Sequence, residues 1–132
     1  MEDYRLNRDF IRYVAKSRPF QHTKHVEKWL WAAAHLDRPE HLWPGKAPKH
    51  GDFTCEWAMF WADLFKVKNY CNLCPLKWQK CDSETHCAYA RNMLNRHDDR
   101  LRGILEICNR PVKSCLWIPY KGQRIEVPVV CV

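Results

Sequence analysis

Glycine is scarce in this chain, with four residues in 132. Phosphate-binding loops of the P-loop or dinucleotide type need closely spaced glycines, and the sequence contains no such cluster. It also has no internal repeat and no Ser/His/Asp pattern of the kind that marks a hydrolase. Because no nucleophile or acid/base constellation is visible, we expect a protein that is not an enzyme.

Long apolar runs are absent as well. No segment approaches the roughly 20 apolar residues that a membrane-spanning helix needs, and the N-terminal residues MEDYRLNRDF do not resemble a secretory signal. These absences predict a cytoplasmic protein of a reducing compartment, without a membrane partner, where structural disulfides are rare. A chain of 132 residues that is 46% hydrophobic is expected to form a single domain, 1–132, around its own core.

Cysteine is abundant, with eight residues, and four of them lie in CNLCPLKWQKCDSETHC, residues 71–87. The pair Cys71 and Cys74, on a tight turn, directs two thiolates at one ion. Cys81 and Cys87 complete a closed tetrahedral Zn²⁺ site of the structural type, with His86 as the alternate fourth ligand. An iron–sulfur cluster is the alternative cofactor, since a proline directly after a ligand suits one. A redox thiol pair or a disulfide is a further alternative.

The remaining cysteines are interpreted as small, mostly buried apolar residues. They are Cys55, Cys108, Cys115 and Cys131. A second metal site among the last three is an alternative to this interpretation.

The words CNLCPL and CAYA, within residues 71–90, resemble the cluster-binding centre of the WhiB-like iron–sulfur regulators. In that family a CxxCP motif leads to a third cysteine and a Tyr-Ala helix. The resemblance, which covers about 20 of 132 residues, implies that Cys71, Cys74 and either Cys81 or Cys87 are ligands, with Cys55 as the upstream fourth. It also implies transcriptional control through a sigma factor and DNA. In length and general composition the chain is similar to small cysteine-rich CxxCPL phage proteins of unknown role.

The pattern of apolar residues predicts a mainly α (α+β) fold in which the metal-clasped turn joins the last two of four helices. Helices are expected over 2–17, 23–36, 52–66 and 83–109, and a β-hairpin over 112–132 that turns at 120–123. Residues 38–51, with three prolines and two glycines, are expected to form a loop.

Four apolar faces follow from helical spacing. The first helix is expected to bury Leu6, Phe10, Tyr13 and Val14, and the second Val26, Trp29, Leu30 and Ala33. The third carries an aromatic core stripe of Phe53, Trp57, Phe60, Trp61, Leu64 and Phe65. The last is expected to bury Met93, Leu101, Ile104, Leu105 and Cys108, with His97 as a hydrogen-bonded core histidine. His22 and His25 are interpreted as surface residues near a helix start, with a metal pair at i, i+3 spacing as the alternative.

Positive charge is also abundant, at a formal net charge of +7. One helix face carries a basic stripe of Arg5, Arg8, Arg12 and Lys16, and the last helix carries Arg91, Arg96, Arg100 and Arg102. Cations in such a row could neutralise several phosphates, so we expect binding to nucleic acid or to the transcription and nucleic-acid-processing machinery. The alternative for the stripe is an ordinary solvated face.

The seven tryptophans suggest a second functional hypothesis. Exposed aromatic residues are typical of protein-binding surfaces. Trp31, Trp43 and Trp78, together with the 38–51 loop, could bind and inhibit a host protein, as a phage or mobile-element effector does.

Overall fold

The computed structural model describes residues 3–49, 52–78 and 86–132, except for the side chains of residues 86, 88 and 89. Its α-helices are α1 (Arg8–Ser17), α2 (His22–Ala34), α3 (Phe53–Phe65), α4 (His86–Met93) and α5 (Arg100–Asn109), and its strands are β1 (Cys115–Tyr120) and β2 (Gln123–Pro128). A mainly helical fold with a C-terminal hairpin is therefore confirmed. None of the helices in the described ranges is long and apolar enough to cross a membrane.

The first helix starts later than its apolar pattern predicts. Asn7 caps α1, since its side-chain oxygen accepts from the backbone N–H groups of Asp9 and Phe10 at 2.9 and 3.1 Å. Residues 4–6 form a separate 3-10 turn before this cap. The helix buries Ile11 and Ala15. The expectation that Tyr13 faces the core is wrong, because that side chain is 71% exposed.

The second helix also turns a different face inward. α2 buries His25, Lys28, Trp29 and Ala32, whereas Leu30, expected in the core, is 53% exposed. The interpretation of His25 as a surface residue is wrong as well. Its ring Nε2 lies 3.2 Å from the backbone oxygen of Ile107 on α5, so a hydrogen bond replaces the water that burial removes.

The aromatic stripe of α3 forms the centre of the main core, as predicted. Phe53, Trp57, Trp61 and Phe65 are buried, while Phe60 and Leu64 are half-buried against them. Side chains of the hairpin cover this stripe, including Ile118 and Val127. The four-residue spacing of the buried aromatics gives α3 one continuous apolar face.

The single long helix predicted over 83–109 is wrong, because the described part of that range is broken into α4 and α5 by turns at residues 94–99. Asn95, Asp98 and Asp99 favour turns over helix interiors, and Arg100 Nη1 donates to the carbonyl of Leu94 at 3.0 Å, just beyond the end of α4. His97 lies in these turns and is exposed, so its expected place in the core is also wrong.

The two short helices cross at Gly103. A Cβ atom at that position would lie 2.6 Å from the Ala90 carbonyl oxygen and 2.8 Å from Met93 Cβ. Only a residue without a side chain permits this approach. Leu101 and Leu105, expected to face the core, remain 41% and 37% exposed, while Ile104 and Cys108 are buried.

The C-terminal hairpin is confirmed with its predicted turn. The strands pair antiparallel from Cys115 opposite Pro128 to Tyr120 opposite Gln123. Lys121 and Gly122 have φ angles of 48° and 75°, the left-handed values that a two-residue type I′ turn requires. Beyond the hairpin, the carbonyl of Val130 accepts from the Phe20 N–H at 2.7 Å.

Candidate metal centre

Four cysteines from three separate segments line one small cavity. Cys55 comes from the first turn of α3, Cys71 and Cys74 from the Cys-x2-Cys segment, and Cys87 from α4. The cavity encloses about 20 Å³, room for about one water-sized occupant. We refer to it as the thiol cavity.

A chain reversal after α3 brings the Cys-x2-Cys segment back to Cys55. Lys66 ends the helix in the left-handed conformation, at φ 60° and ψ 39°. From Cys55 to Phe65 the helix rises about 15 Å, and residues 66–69 return the chain to the cavity that Cys55 lines. The segment therefore arrives beside the first turn of the same helix.

Local hydrogen bonds then fix the Cys-x2-Cys segment on both sides. The Asn69 side chain accepts from the Cys71 N–H at 3.1 Å and caps a 3-10 turn over Tyr70–Leu73. Downstream, the Lys77 N–H donates to Pro111 O at 2.7 Å, and the Lys113 N–H donates to Pro75 O at 2.8 Å. These bonds fix the backbone on both sides of the two thiols.

Burial is the main influence on the thiols of this segment. It raises the pKa of Cys71, and the neighbouring Cys87 and Cys55 thiols raise it further because several thiolates repel one another. Burial also raises the pKa of Cys74. Both groups are therefore neutral at pH 7 unless a cation compensates their charge, and a bound metal ion would displace their protons.

A buried ion-pair network adjoins the thiol cavity. Asp52, with a side chain only 4% exposed, contacts Lys28 of α2 through one oxygen and Arg91 of α4 through the other, the latter at 2.6 Å. Burial opposes the Asp52 charge, but Lys28 and Arg91 more than offset it and lower its pKa. Burial likewise opposes the Arg91 charge, and Asp52 more than offsets it, which raises the Arg91 pKa.

Arg91 connects this network to the thiols. Its Nη2 atom lies 4.0 Å from the Cys55 sulfur, and its side chain lines the thiol cavity. A guanidinium at this point is a fixed positive charge beside any anionic cluster of thiolates. The sequence pointed to Arg91 only as a basic residue of a helix, because its partner Asp52 lies 39 positions away in the chain.

The donor set suits a soft metal, although the side chains are not arranged around one. Thiolate-rich sites select Zn²⁺ or iron–sulfur clusters. Within the described ranges, no three Cys, His, Asp or Glu side chains stand close enough to form a ready metal-binding group. The cavity gathers the cysteines, and closing them around an ion requires movement of the side chains.

The structure describes some of the predicted metal ligands and leaves others outside its described residues. Cys71, Cys74 and Cys87 lie together, and Cys55, the upstream alternate, joins them. Cys81 and the side chain of His86 lie outside the described residues, so their part in a site stays a prediction. Of the other cysteines, Cys108 is buried near the Val26 carbonyl, Cys115 is half-buried in β1 and Cys131 is exposed.

The basic stripe is divided by the start of α1. Arg5 lies before the helix, and its guanidinium donates to the Tyr120 hydroxyl at 2.8 Å. Arg8, Arg12 and Lys16 lie on α1 and are exposed, and none of them forms an ion pair with a described residue. These three cations remain available to an anionic partner.

The predicted cations near the C-terminal helices divide in the same way. Arg100 donates to the carbonyls of Leu94 and Arg38 at 3.0 and 2.9 Å, and Arg91 contacts Asp52. Both guanidinium groups are thus engaged within the fold. Arg96 and Arg102 are exposed, and among the described residues Arg96 pairs with Asp99, at 3.6 Å and facing solvent.

The three tryptophans predicted to bind a partner are all half-buried. Trp31 stacks on His35 with ring centroids 4.4 Å apart, Trp43 meets the edge of Phe53 at 5.9 Å, and Trp78 lines the thiol cavity. Trp117 is the more exposed residue, at 49%, with the Arg124 guanidinium 5.1 Å from its ring centre. Alternation in β1, with Leu116 and Ile118 inward, was the signal that could have identified it.

No protein-family model matches this chain, and comparison with characterised proteins and with solved structures gives no match either. The resemblance of residues 71–90 to WhiB-like regulators therefore stays a prediction.

Proposed function

We propose that this protein is a non-enzymatic nucleic acid-binding protein whose fold is stabilised by a metal bound to Cys55, Cys71, Cys74 and Cys87. One observation carries the proposal: thiols from α3, the Cys-x2-Cys segment and α4 line the same cavity. Packing alone seldom requires four cysteines at one point, whereas a tetrahedral thiolate site requires that number.

The size of the thiol cavity supports a single ion. About 20 Å³ accommodates one small occupant, whereas a four-iron cluster would need the surrounding side chains to move outward. Zn²⁺ with four thiolate ligands would have no open coordination position, so its role would be structural. Bound metal would link α3 to α4 directly and displace the protons of the Cys71 and Cys74 thiols.

Exposed cations support the nucleic acid part of the proposal. Arg8, Arg12 and Lys16 repeat at four-residue intervals along α1, on one side of that helix. Arg8 also lines a groove against the hairpin together with Arg124 and the exposed Trp117. Cations next to an accessible aromatic ring are the combination that single-stranded nucleic acid uses for phosphate contacts and base stacking.

Elemental analysis of purified protein tests the metal site. We expect about one zinc per chain and a colourless solution; the Cys55→Ser variant should lose the metal and the matched Cys115→Ser variant should keep it. A brown solution that absorbs near 400 nm would show that the site holds an iron–sulfur cluster and not zinc. If Cys55→Ser retains the metal and Cys81→Ser loses it, then Cys81 is the fourth ligand and Cys55 is not.

A salt series tests the nucleic acid part. Affinity for random single-stranded and duplex DNA should fall steeply between low and moderate salt, since phosphate contacts release counterions. An absence of binding at low salt would contradict this part of the proposal and leave the metal site unaffected.

A further inference from the structure

A second cavity, unrelated to the thiol cavity, opens between the end of α1, the start of α2 and the chain before α3. Its lining includes Ser17 and Arg18, Gln21 and Lys24, residues 46–48, and one side of α3. The volume is about 390 Å³, within the roughly 300–1,000 Å³ of small-molecule pockets. We call it the cationic cleft.

Three cations from three segments line the cationic cleft. Arg18 follows α1, Lys24 lies in the first turn of α2, and Lys46 lies on the loop after the 3-10 turn at Glu40–Leu42. All three side chains are exposed, and none forms an ion pair with a described residue. Among the described residues that line the cleft, Glu56 is the one carboxylate. The cleft therefore favours an anion.

The floor of the cleft is aromatic. Phe53 and Trp57 of α3 line it while remaining 7% and 6% exposed, and Phe60 is half-buried beside them. The Trp57 indole N–H donates to the carbonyl of Arg18 at 3.0 Å and so fixes the backbone of that residue to the floor. An inorganic anion makes no favourable apolar contact with such a surface, whereas a ligand with a flat ring can pack against it.

Arg18 combines both properties. Its guanidinium carbon lies 4.7 Å from the centre of the Phe60 ring. A guanidinium backed by an aromatic ring presents a flat, charged plane on which a nucleobase can stack. Lys24 and Lys46 are then left for the phosphate, which an ammonium binds as a point charge.

From these features we propose that the cationic cleft binds a nucleoside 5′-phosphate, with the base on the Arg18–Phe60 pair and the phosphate at Lys24 and Lys46. The ligand is either a free nucleotide or the terminal nucleotide of a strand. Lys16, the last member of the basic stripe, lies two residues before Arg18, so a strand that follows the stripe would reach the cleft. The proposal does not depend on the metal site, because the two cavities share none of their lining residues.

Calorimetry with the full chain, as purified with its metal, tests the cleft. The probes are the four nucleoside 5′-monophosphates, adenosine and inorganic phosphate. We expect at least one monophosphate to bind about tenfold more tightly than either adenosine or phosphate, since a charge-assisted contact and a stacking contact each contribute about a factor of ten or more. Equal binding of inorganic phosphate and nucleotide would overturn the proposal, and so would an absence of binding to every probe.

Matched variants locate the binding. Lys24→Gln with Lys46→Gln should weaken nucleotide binding at least about tenfold, whereas Lys66→Gln with Lys68→Gln, two exposed lysines after α3, should leave it unchanged. Phe60→Ala should weaken nucleotide binding without affecting that of phosphate. If the two double variants lose nucleotide affinity equally, the loss comes from the change in net charge, and the assignment to the cleft is overturned.

A 5′-phosphorylated single-stranded oligonucleotide and its 5′-hydroxyl counterpart distinguish the two sources of the ligand. Tighter binding of the phosphorylated strand than of both its 5′-hydroxyl counterpart and the free nucleotide identifies a strand end, whereas equal binding of the two strands, together with binding of the nucleotide, identifies a free nucleotide. Either result supports the cleft as the binding site. An Arg8→Glu, Arg12→Glu variant should lose oligonucleotide binding and still bind free nucleotide, because the basic stripe and the cleft are separate sites. Loss of free-nucleotide binding in this variant would contradict the assignment to the cleft.

Discussion

α3 separates two cavities of opposite character. Cys55 and Glu56 are consecutive residues, yet Cys55 lines the thiol cavity and Glu56 lines the cationic cleft. The first cavity is small and enclosed, with about 20 Å³, and the second is open to solvent, with about 390 Å³. Successive residues on a helix point about 100° apart, so one helix can form a wall of both.

Access to water distinguishes the chemistry of the two cavities. In the enclosed one, a charge has to be matched by a fixed partner, as Arg91 is by Asp52, or neutralised by protonation, as the raised pKa values of Cys71 and Cys74 favour. In the open one, the side chains of Arg18, Lys24 and Lys46 are exposed to water and need no fixed partner inside the fold. Substitutions on the enclosed side should therefore affect folding, and those on the open side should affect binding.

The largest effect is expected at the thiol cavity. Cys71→Ser or Cys74→Ser removes a ligand of the proposed metal, and the loss of a structural metal costs about 5 kcal/mol or prevents folding. Cys131→Ser, at an exposed position, is the control and should behave as wild type. Thermal melting and solubility measure both, and soluble cavity variants that melt like wild type would contradict a structural metal.

A somewhat smaller effect is expected at Asp52. Asp52→Asn leaves Lys28 and Arg91 without the carboxylate that compensates them inside the fold, which should lower the free energy of unfolding by about 3–5 kcal/mol. Asp99→Asn, which removes a solvent-facing partner of Arg96, should change it by less than about 1 kcal/mol. Urea unfolding measures both variants, and equal effects would erase the distinction between enclosed and open charges.

The next effect depends on pH and concerns His25. Burial lowers the pKa of this histidine from 6.5 to about 4, so below pH 6.5 the unfolded chain binds a proton that the folded chain does not. Stability should be complete above pH 6.5 and fall by about 3 kcal/mol towards pH 4. Asp52 stays ionised in this window, because its pKa is lowered below 3.8.

Two variants isolate that effect. His25→Gln keeps a side-chain donor for the Ile107 carbonyl but cannot titrate, so its unfolding free energy should vary much less between pH 6.5 and 4. His97→Gln, in the exposed turns between α4 and α5, should keep the wild-type dependence. A His25→Gln curve that parallels wild type would assign the pH dependence to other groups.

The smallest effect on stability is expected on α1. Arg8→Glu with Arg12→Glu should change the free energy of unfolding by less than about 1 kcal/mol, because both side chains are exposed. Nucleic acid affinity should nevertheless fall sharply, and the slope of log affinity against log salt should shrink by about one for each lost phosphate contact. Unchanged binding and unchanged stability would leave the stripe as a solvated face.

Patterns of local origin were readable from the sequence. The hairpin follows from alternation in 125–131 and from Lys121-Gly122 at its turn, and the aromatic face of α3 follows from four-residue spacing. Both depend on residues that are neighbours in the chain. The four-cysteine grouping was predicted only partly: Cys55 entered through the resemblance to a family, since nothing within the word CEWA itself marks a ligand.

Features that depend on distant partners were not readable. His25 is buried because α5 covers α2, and Lys28 is tolerated inside because Asp52, 24 residues later, meets it. The break at 94–99 is different, because its causes are local: Asn95, Asp98 and Asp99 favour turns, and Arg100 hydrogen-bonds to the Leu94 carbonyl. Helical periodicity over 83–109 missed it because periodicity reports which face of a helix is apolar and does not report where the helix ends.

The close crossing at Gly103 has a consequence for how genetic data on this protein would be interpreted. α4 carries Cys87 and Arg91, and its other side packs on the backbone of Gly103. A methyl group at position 103 would therefore displace α4. The Cys87 sulfur and the Arg91 guanidinium would move with the helix. A mutational screen scored by metal content would therefore rank position 103 with the cysteines, although a glycine has no atom to offer a metal. In such a screen, the geometric support of a ligand and the ligand itself would give the same phenotype.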